Sequence, residues 1–287
     1  MQPRSLFNAA RAHSRLHQAA VLAASSIRVT QQDDSMRKAQ TQLDSVLLYL
    51  DNHGQQVSSL EIQGFVGFEL HLLPLGKLQG LSSLTISGVN VRLQRGFYGY
   101  RLMTGMEKLG TALSALPGLQ HLSIDFPRGT SVPEGQLRLI DAVNSRRCYH
   151  FPSDGLQGLQ QLTYLELVGF GLRAKDSMQQ LQALTCLQDL RLDCCCTFTI
   201  DSSMLSGSQQ LTRLELRAVD LTLNEVCCIV QPAVLAGKTR LRHLNLMNCA
   251  VASGGSAATK VAEMLAQLQQ VQQLTFLSLR ASFGDMA

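Results

Sequence analysis

At 287 residues and 45% apolar content the chain can bury a sizeable core, but aromatics reach only 5% and tryptophan is absent, so branched aliphatics of similar size must fill it. The formal charge of +4 sits entirely in residues 1–40, where six basic side chains face two acids; the remaining body is neutral and lacks the electrostatic footprint of a nucleic-acid binder. No apolar run approaches the ~20 residues of a bilayer crossing, and five of the eight cysteines fall in the runs Cys194–Cys196 and Cys227–Cys228, which suits a reducing, cytoplasmic setting better than a disulfide framework.

The first 40 residues carry Arg4, Arg11, Arg15 and Arg28 among alanines and serines, with no acid before Asp33. Such a segment fits an organelle-targeting leader, and equally a basic helix that caps the domain beginning at residue 41. A secretory signal fits poorly, because the apolar stretch AAVLAA is short and starts late.

From residue 41 a stripe of Leu43, Val46, Leu47 and Leu50 predicts a helix closed by Gly54. One phrase then recurs with apolar residues at its first, fourth and sixth places. Eight copies read VSSLEI from Val57, LSSLTI from Leu81, LQHLSI from Leu119, LTYLEL from Leu162, LQDLRL from Leu187, LTRLEL from Leu211, LRHLNL from Leu241 and LTFLSL from Leu274. Alternation of period two makes each phrase a short strand with one apolar face, and strands separated by a whole coil of chain stack in parallel about 4.8 Å apart.

Helical spacing returns between phrases. Thr104 and Glu107 have capping-box spacing ahead of Leu109, Leu113 and Leu116, and Val261, Met264, Leu265 and Leu268 form a last stripe. The unit is strand, turn, helix, turn, which predicts an α/β solenoid over 41–287 with a curved parallel sheet on its concave side and helices on its convex side. Starts 38 and 43 residues apart leave longer insertions near 88–118 and 127–156. They hold Arg92, Arg95, Phe97, Tyr98 and Arg101, then Arg138, Arg146, Arg147, Tyr149, His150 and Phe151. A partner-binding knob or a degenerate repeat accounts for them better than RNA stacking does.

The phrase resembles the leucine-rich-repeat family, whose coil reads L-x-x-L-x-L-x-x-N/C-x-L, and the likeness runs over residues 41–287. The ninth place departs from it, with Phe65, Val89, Pro127, Phe170, Cys195, Val219, Cys249 and Ser282 where the family's asparagine would bond the turn, so these turns must close their backbone bonds differently. Cys195 and Cys249 read as small buried thiols. Ala12 to Thr30, with Leu16, His17, Ala19, Ser25, Ser26, Ile27 and Thr30, is similar to the tail of an F-box as found in algal and plant F-box leucine-rich-repeat proteins. That resemblance implies a substrate receptor of the ubiquitin system; relatives that serve cytoskeletal or ciliary assemblies supply the alternative.

With the first, fourth and sixth places inward, the third, fifth and seventh face the concave side. The first two phrases present small hydroxyls there. Later ones present the aromatic, imidazole and charged groups typical of protein interfaces, and the candidate partner-binding residues are His121, Tyr164, Glu166, Asp189, Arg191, Arg213, Glu215, His243 and Phe276. Register would set Glu166, Arg191 and Glu215 side by side, with Asp189 beside Arg213 and Asp193 beside Arg217. Those charges can satisfy one another as readily as a partner, each exposed pair contributing about 0–1 kcal/mol, whereas exposed Tyr164 and Phe276 favour a partner. No catalytic motif, C-x-x-C pair or histidine cluster is present, so neither enzyme activity, cofactor, metal nor small-molecule substrate is expected, and the expected partner is a protein.

Overall fold

The computed structural model describes residues 25–31, 36–65, 73–88, 109–125, 149–151, 155–171, 180–194, 198–218, 228–251 and 257–282. Its strands are β1 (Ser26–Thr30), β2 (Ser59–Gln63), β3 (Ser83–Ser87), β4 (His121–Asp125), β5 (Tyr149–His150), β6 (Tyr164–Gly171), β7 (Asp189–Cys194), β8 (Phe198–Ile200), β9 (Arg213–Ala218), β10 (Cys228–Val230), β11 (His243–Val251) and β12 (Phe276–Ser282). Helix α1 (Met36–His53) lies between β1 and β2, helix α2 (Ala257–Leu268) between β11 and β12, and a shorter helical stretch occupies 109–114.

Every repeated phrase yields one strand, and β1, β2, β3, β4, β6, β7, β9, β11 and β12 pair in that order, all parallel and without slippage of the phrase. Like places therefore stack. Leu60, Leu84, Leu122, Leu165, Leu190, Leu214 and Leu244 form one fully buried row and Ile62, Ile86, Ile124, Leu167, Leu192, Leu216 and Leu246 the next. At about 25 cal/mol per Å² of apolar surface, each such side chain contributes about 1.5–3 kcal/mol on burial. The result is a leucine-rich-repeat solenoid, with the sheet as one wall and helices or turns as the other.

The sheet extends to residues before 41. Ile27 and Val29 pair with Leu60 and Ile62, are almost fully buried, and occupy the fourth and sixth places of a further copy of the phrase. That copy escapes the pattern because Ala24, rather than leucine or valine, stands at its first place. Residues 1–24, and with them most of the stretch that resembles an F-box tail, lie outside the described residues.

Gly54 follows α1 as the first residue of a 3-10 turn, Gly54–Gln56, rather than as a left-handed cap, and the close packing of the next coil calls for glycine there: a Cβ would come 2.6 Å from Leu78 Cδ2 and 3.1 Å from Lys77 O. In α2, Met264 is buried while Leu265 is 52% exposed, so the apolar stripe is narrower than its spacing suggests. Thr104, Glu107 and most of both insertions fall outside the described residues.

The corners solve the problem left by the missing asparagines in two ways. At the eighth place the chain turns through a left-handed residue, Gly64, Gly88, Gly169 or Asn248, with φ of 78°, 64°, 81° and 55°. Beyond the corner a second, short parallel ladder forms: Tyr149 pairs with Phe170, Phe198 with Cys228, and Cys228 with Cys249. Cys249 is the small buried thiol expected, its Sγ 3.5 Å from Leu216 O; Cys195 lies outside the described residues.

At the opposite corner a column of hydroxyls joins successive coils. Ser58, Ser82, Thr163, Thr212 and Thr275, each at the second place, donate to the carbonyls of Ser25, Ser58, Gln120, Gln188 and Arg242 at 2.9–3.0 Å. The same carbonyls accept two main-chain N–H groups from the next coil. Each bond contributes about 1 kcal/mol.

Candidate protein-binding surface

Period-two alternation carries the third and fifth places of every phrase to one face, and the parallel register lines them up in two columns. His121, Tyr164, Asp189, Arg213, His243 and Phe276 are consecutive neighbours in one; Ser123, Glu166, Arg191, Glu215, Asn245 and Ser278 in the other. All nine candidate residues thus share a single surface. The seventh places, Asp125, Val168, Asp193, Arg217, Met247 and Arg280, run alongside.

Two aromatic stacks stand on this face. The rings of His121 and Tyr164 lie 4.1 Å apart and 9° from parallel, and those of His243 and Phe276 lie 4.1 Å apart and 3° from parallel. The cause is geometric: adjacent parallel strands set like places at close to the spacing of stacked rings. Phe276 remains 45% exposed, a large apolar face turned to solvent.

Between the stacks the charges are held by hydrogen bonds. Glu166 Oε2 accepts from Ser123 Oγ at 2.7 Å and from the Tyr164 hydroxyl at 3.0 Å, while its Oε1 lies 3.9 Å from Arg191 Nη1. Arg191 donates two bonds of 3.2 Å to the Asp189 carboxylate and sits 5.2 Å over the Tyr164 ring. Arg213 donates through Nε and Nη2 to Glu215 Oε1, at 2.8 and 2.5 Å. Arg217 Nη2 lies 3.6 Å from Glu215 Oε2 and His243 Nε2 3.0 Å from Oε1, without the alignment of a hydrogen bond in the histidine's case.

The lateral neighbours match the register read from the sequence, but the guanidinium bonds do not simply run across strands. Arg191 to Asp189 and Arg213 to Glu215 are contacts between residues two apart on one strand, which a long guanidinium reaches by folding back along its own face. The fifth places are also deeper than an exposed face implies: Ser123, Glu215 and Asn245 are buried beneath the third- and seventh-place side chains. Asn245 Oδ1 is enclosed without a hydrogen-bond donor.

Burial and neighbouring charges together set the protonation of the face. Although burial raises the Glu215 carboxyl, hydrogen bonds from Arg213 and the charges of Arg213, Arg191 and Arg217 prevail and hold it below the usual range. Burial first, then the nearby Glu166, pushes the Tyr164 hydroxyl far above the usual phenol range, so it stays a donor. Burial lowers both His121 and His243, and Arg213 lowers His243 further. Among the described residues no group of three or more His, Cys, Asp or Glu could hold a metal ion, and no helix is long and apolar enough to cross a membrane.

No family model matches the chain, and no curated protein does. Among solved structures it is similar to the functional domain of InlJ from Listeria monocytogenes, described as including a cysteine ladder, with 14% identity, 93% of this chain and 42% of that one covered, and a TM-score of 0.48. A TDR receptor gives 15%, 93%, 44% and 0.44, and an internalin, InlF, from Listeria monocytogenes str. 4b F2365 gives 15%, 92%, 76% and 0.37. The chain spans less than half the length of the first two.

Proposed function

We propose that the chain is a non-catalytic interaction module that binds a protein partner on its concave face, across β4 to β12. One observation carries this reading. The face presents two preorganised aromatic stacks, one ending in exposed Phe276, joined by guanidinium and carboxylate groups that are already oriented by hydrogen bonds. Rigid aromatic and arginine side chains lose little conformational freedom on binding and dominate interface energetics. A purely self-satisfied charged face gives no reason to leave Phe276 in water.

The test is affinity capture with the wild-type chain and with the triple substitution Tyr164→Ala, Arg213→Ala and Phe276→Ala, after both are shown to melt cooperatively. Proteins retained by the wild type and lost from the variant support the concave site; an unchanged set removes it. A substrate-receptor role in the ubiquitin system draws support from the likeness of Ala12 to Thr30 to an F-box tail. Binding of the purified chain to a ubiquitin-ligase adaptor, abolished by deleting residues 1–24, is the outcome this finer reading requires. The cytoskeletal alternative requires co-sedimentation with detergent-insoluble cytoskeleton.

A further inference from the structure

The charges between the two aromatic stacks are closed on one another. Arg191 donates twice to Asp189 and reaches Glu166, Arg213 donates twice to Glu215, and Arg217 lies against the same carboxylate. Every carboxylate at the third and fifth places of β6, β7 and β9 therefore has a guanidinium beside it, and every guanidinium there a carboxylate. A charged group of a partner would have to break one of these contacts to make its own, which gains little. The rings are different. His121 and Tyr164 stack at one end of this network and His243 and Phe276 at the other, and Phe276 keeps 45% of its surface in water.

Building on the reading of this face as the binding surface, we infer that its partner is an amphipathic helix laid across the strands, with two large apolar side chains about eleven to fourteen residues apart and uncharged residues between them. The stacks set the spacing. One is centred between β4 and β6 and the other between β11 and β12, four steps along the sheet order, about 19 Å at about 4.8 Å each. Side chains return to one face of a helix after about eleven residues, a rise of about 16 Å, and after about fourteen, a rise of about 21 Å, so these repeats bracket the distance. Extended chain suits the face less. The main chain of β6 to β11 is already committed to parallel ladders on both sides, so an extended segment crossing it finds no N–H or C=O to pair with, whereas a helix satisfies its own. Each anchor meets a ring already held in place by its stack, so burying it carries little ordering cost.

The probe is a displayed library of alanine-rich helical peptides of about 18 residues, randomised along one face, selected on the full chain and then synthesised with a fluorophore for anisotropy titration. The inference expects enriched peptides to carry leucine or an aromatic residue at two same-face positions about eleven or about fourteen apart, with neither acid nor base between. Their affinity should change less than about twofold as salt rises from about 0.05 to about 0.5 M. Tyr164→Ala or Phe276→Ala, each shown to melt cooperatively, should weaken binding about tenfold, as should alanine at either anchor. Double-mutant cycles should couple one anchor to Tyr164 and the other to Phe276. Peptides with one anchor, another repeat, a charged centre or a steep salt dependence, still weakened by both concave substitutions, overturn the two-anchor helix and leave the concave surface standing. A proline at mid-peptide that leaves affinity unchanged overturns the helix as well. Absence of enrichment, or peptides indifferent to both substitutions, overturns the helix and the concave surface together.

Discussion

Lys238 stands at a place that four earlier coils fill with leucine. Three residues ahead of the phrase the chain carries Leu78, Leu116, Leu159 and Leu184, all buried, and then Ser208 and Lys238, buried as well. The short Ser208 side chain leaves room in the core, the lysine stem fills it, and Nζ donates to Leu205 O of the preceding coil at 2.5 Å. Burial lowers the ammonium from its ordinary 10.5, so between the lowered value and 10.5 the unfolded chain binds the more protons and stability rises with pH. Lys238→Met keeps the stem and drops the charge. It should stabilise the fold by about 1 kcal/mol at neutral pH, with the gain shrinking as the pH climbs toward 10.5; thermal melts of both chains across that range would contradict this if the gap stayed constant. The two stacked histidines carry the same liability in a lower pH range. Burial leads in holding His121 and His243 below 6.5, so acidification through 6.5 loads protons on the unfolded chain first and stability falls. His121→Phe with His243→Phe preserves both stacks, and its melting temperature should drop less than the wild type's between about pH 7 and about pH 5.

At the scale of a coil, the tightest constraint is where one turn passes beneath the next. A Cβ on Gly158 would lie 2.3 Å from Ser114 O and one on Gly207 2.0 Å from Gln182 O, both at the place four residues ahead of the phrase. Backbone carbonyls cannot step aside as a flexible side chain can, so Gly158→Ala or Gly207→Ala should cost about 2 kcal/mol or more. Gly118→Ala meets nothing within 4 Å and should be neutral or gain about 0.4–1 kcal/mol; denaturant unfolding of the three proteins decides, and equal costs would mean the coils are not this closely stacked. The strands were legible because leucine returns at the same three places and period two fixes which side chains share a face, and that also delivered every candidate residue of the concave site. The corners were not. Gly64, Gly88, Gly169 and Asn248 share a left-handed backbone but no single residue type, and the second ladder is built from pieces as short as Tyr149–His150. Pairing on the face was only half readable, because register says which residues adjoin but not that an arginine will turn back to a carboxylate on its own strand.

Among the described residues the strands pair only with those of adjacent coils, so stability approximates a sum of nearest-neighbour terms along one continuous core. Those terms are unequal. Leu165, Leu190, Leu214 and Leu244 are sealed on both sides by adjacent coils, whereas Leu277, at the same place on β12, is 46% exposed and Leu279 only partly buried. Among the described residues β12 pairs with β11 alone. Leu214→Ala therefore opens a cavity within the stack and should cost about 3 kcal/mol or more, while Leu277→Ala, already half in water, should cost about 1 kcal/mol or less. The same asymmetry governs local opening. Native-state hydrogen exchange of this chain should show main-chain amides of β7 and β9 exchanging only through global unfolding, and those of β12 exchanging through a cheaper opening that peels β12 from β11. Because His243 stacks on Phe276 across that junction, the cheap opening also dismantles one end of the proposed binding surface, so a bound partner should slow exchange in β12 far more than in β7; uniform protection along the sheet, with or without a partner, would show that the β11–β12 junction is not the weak one.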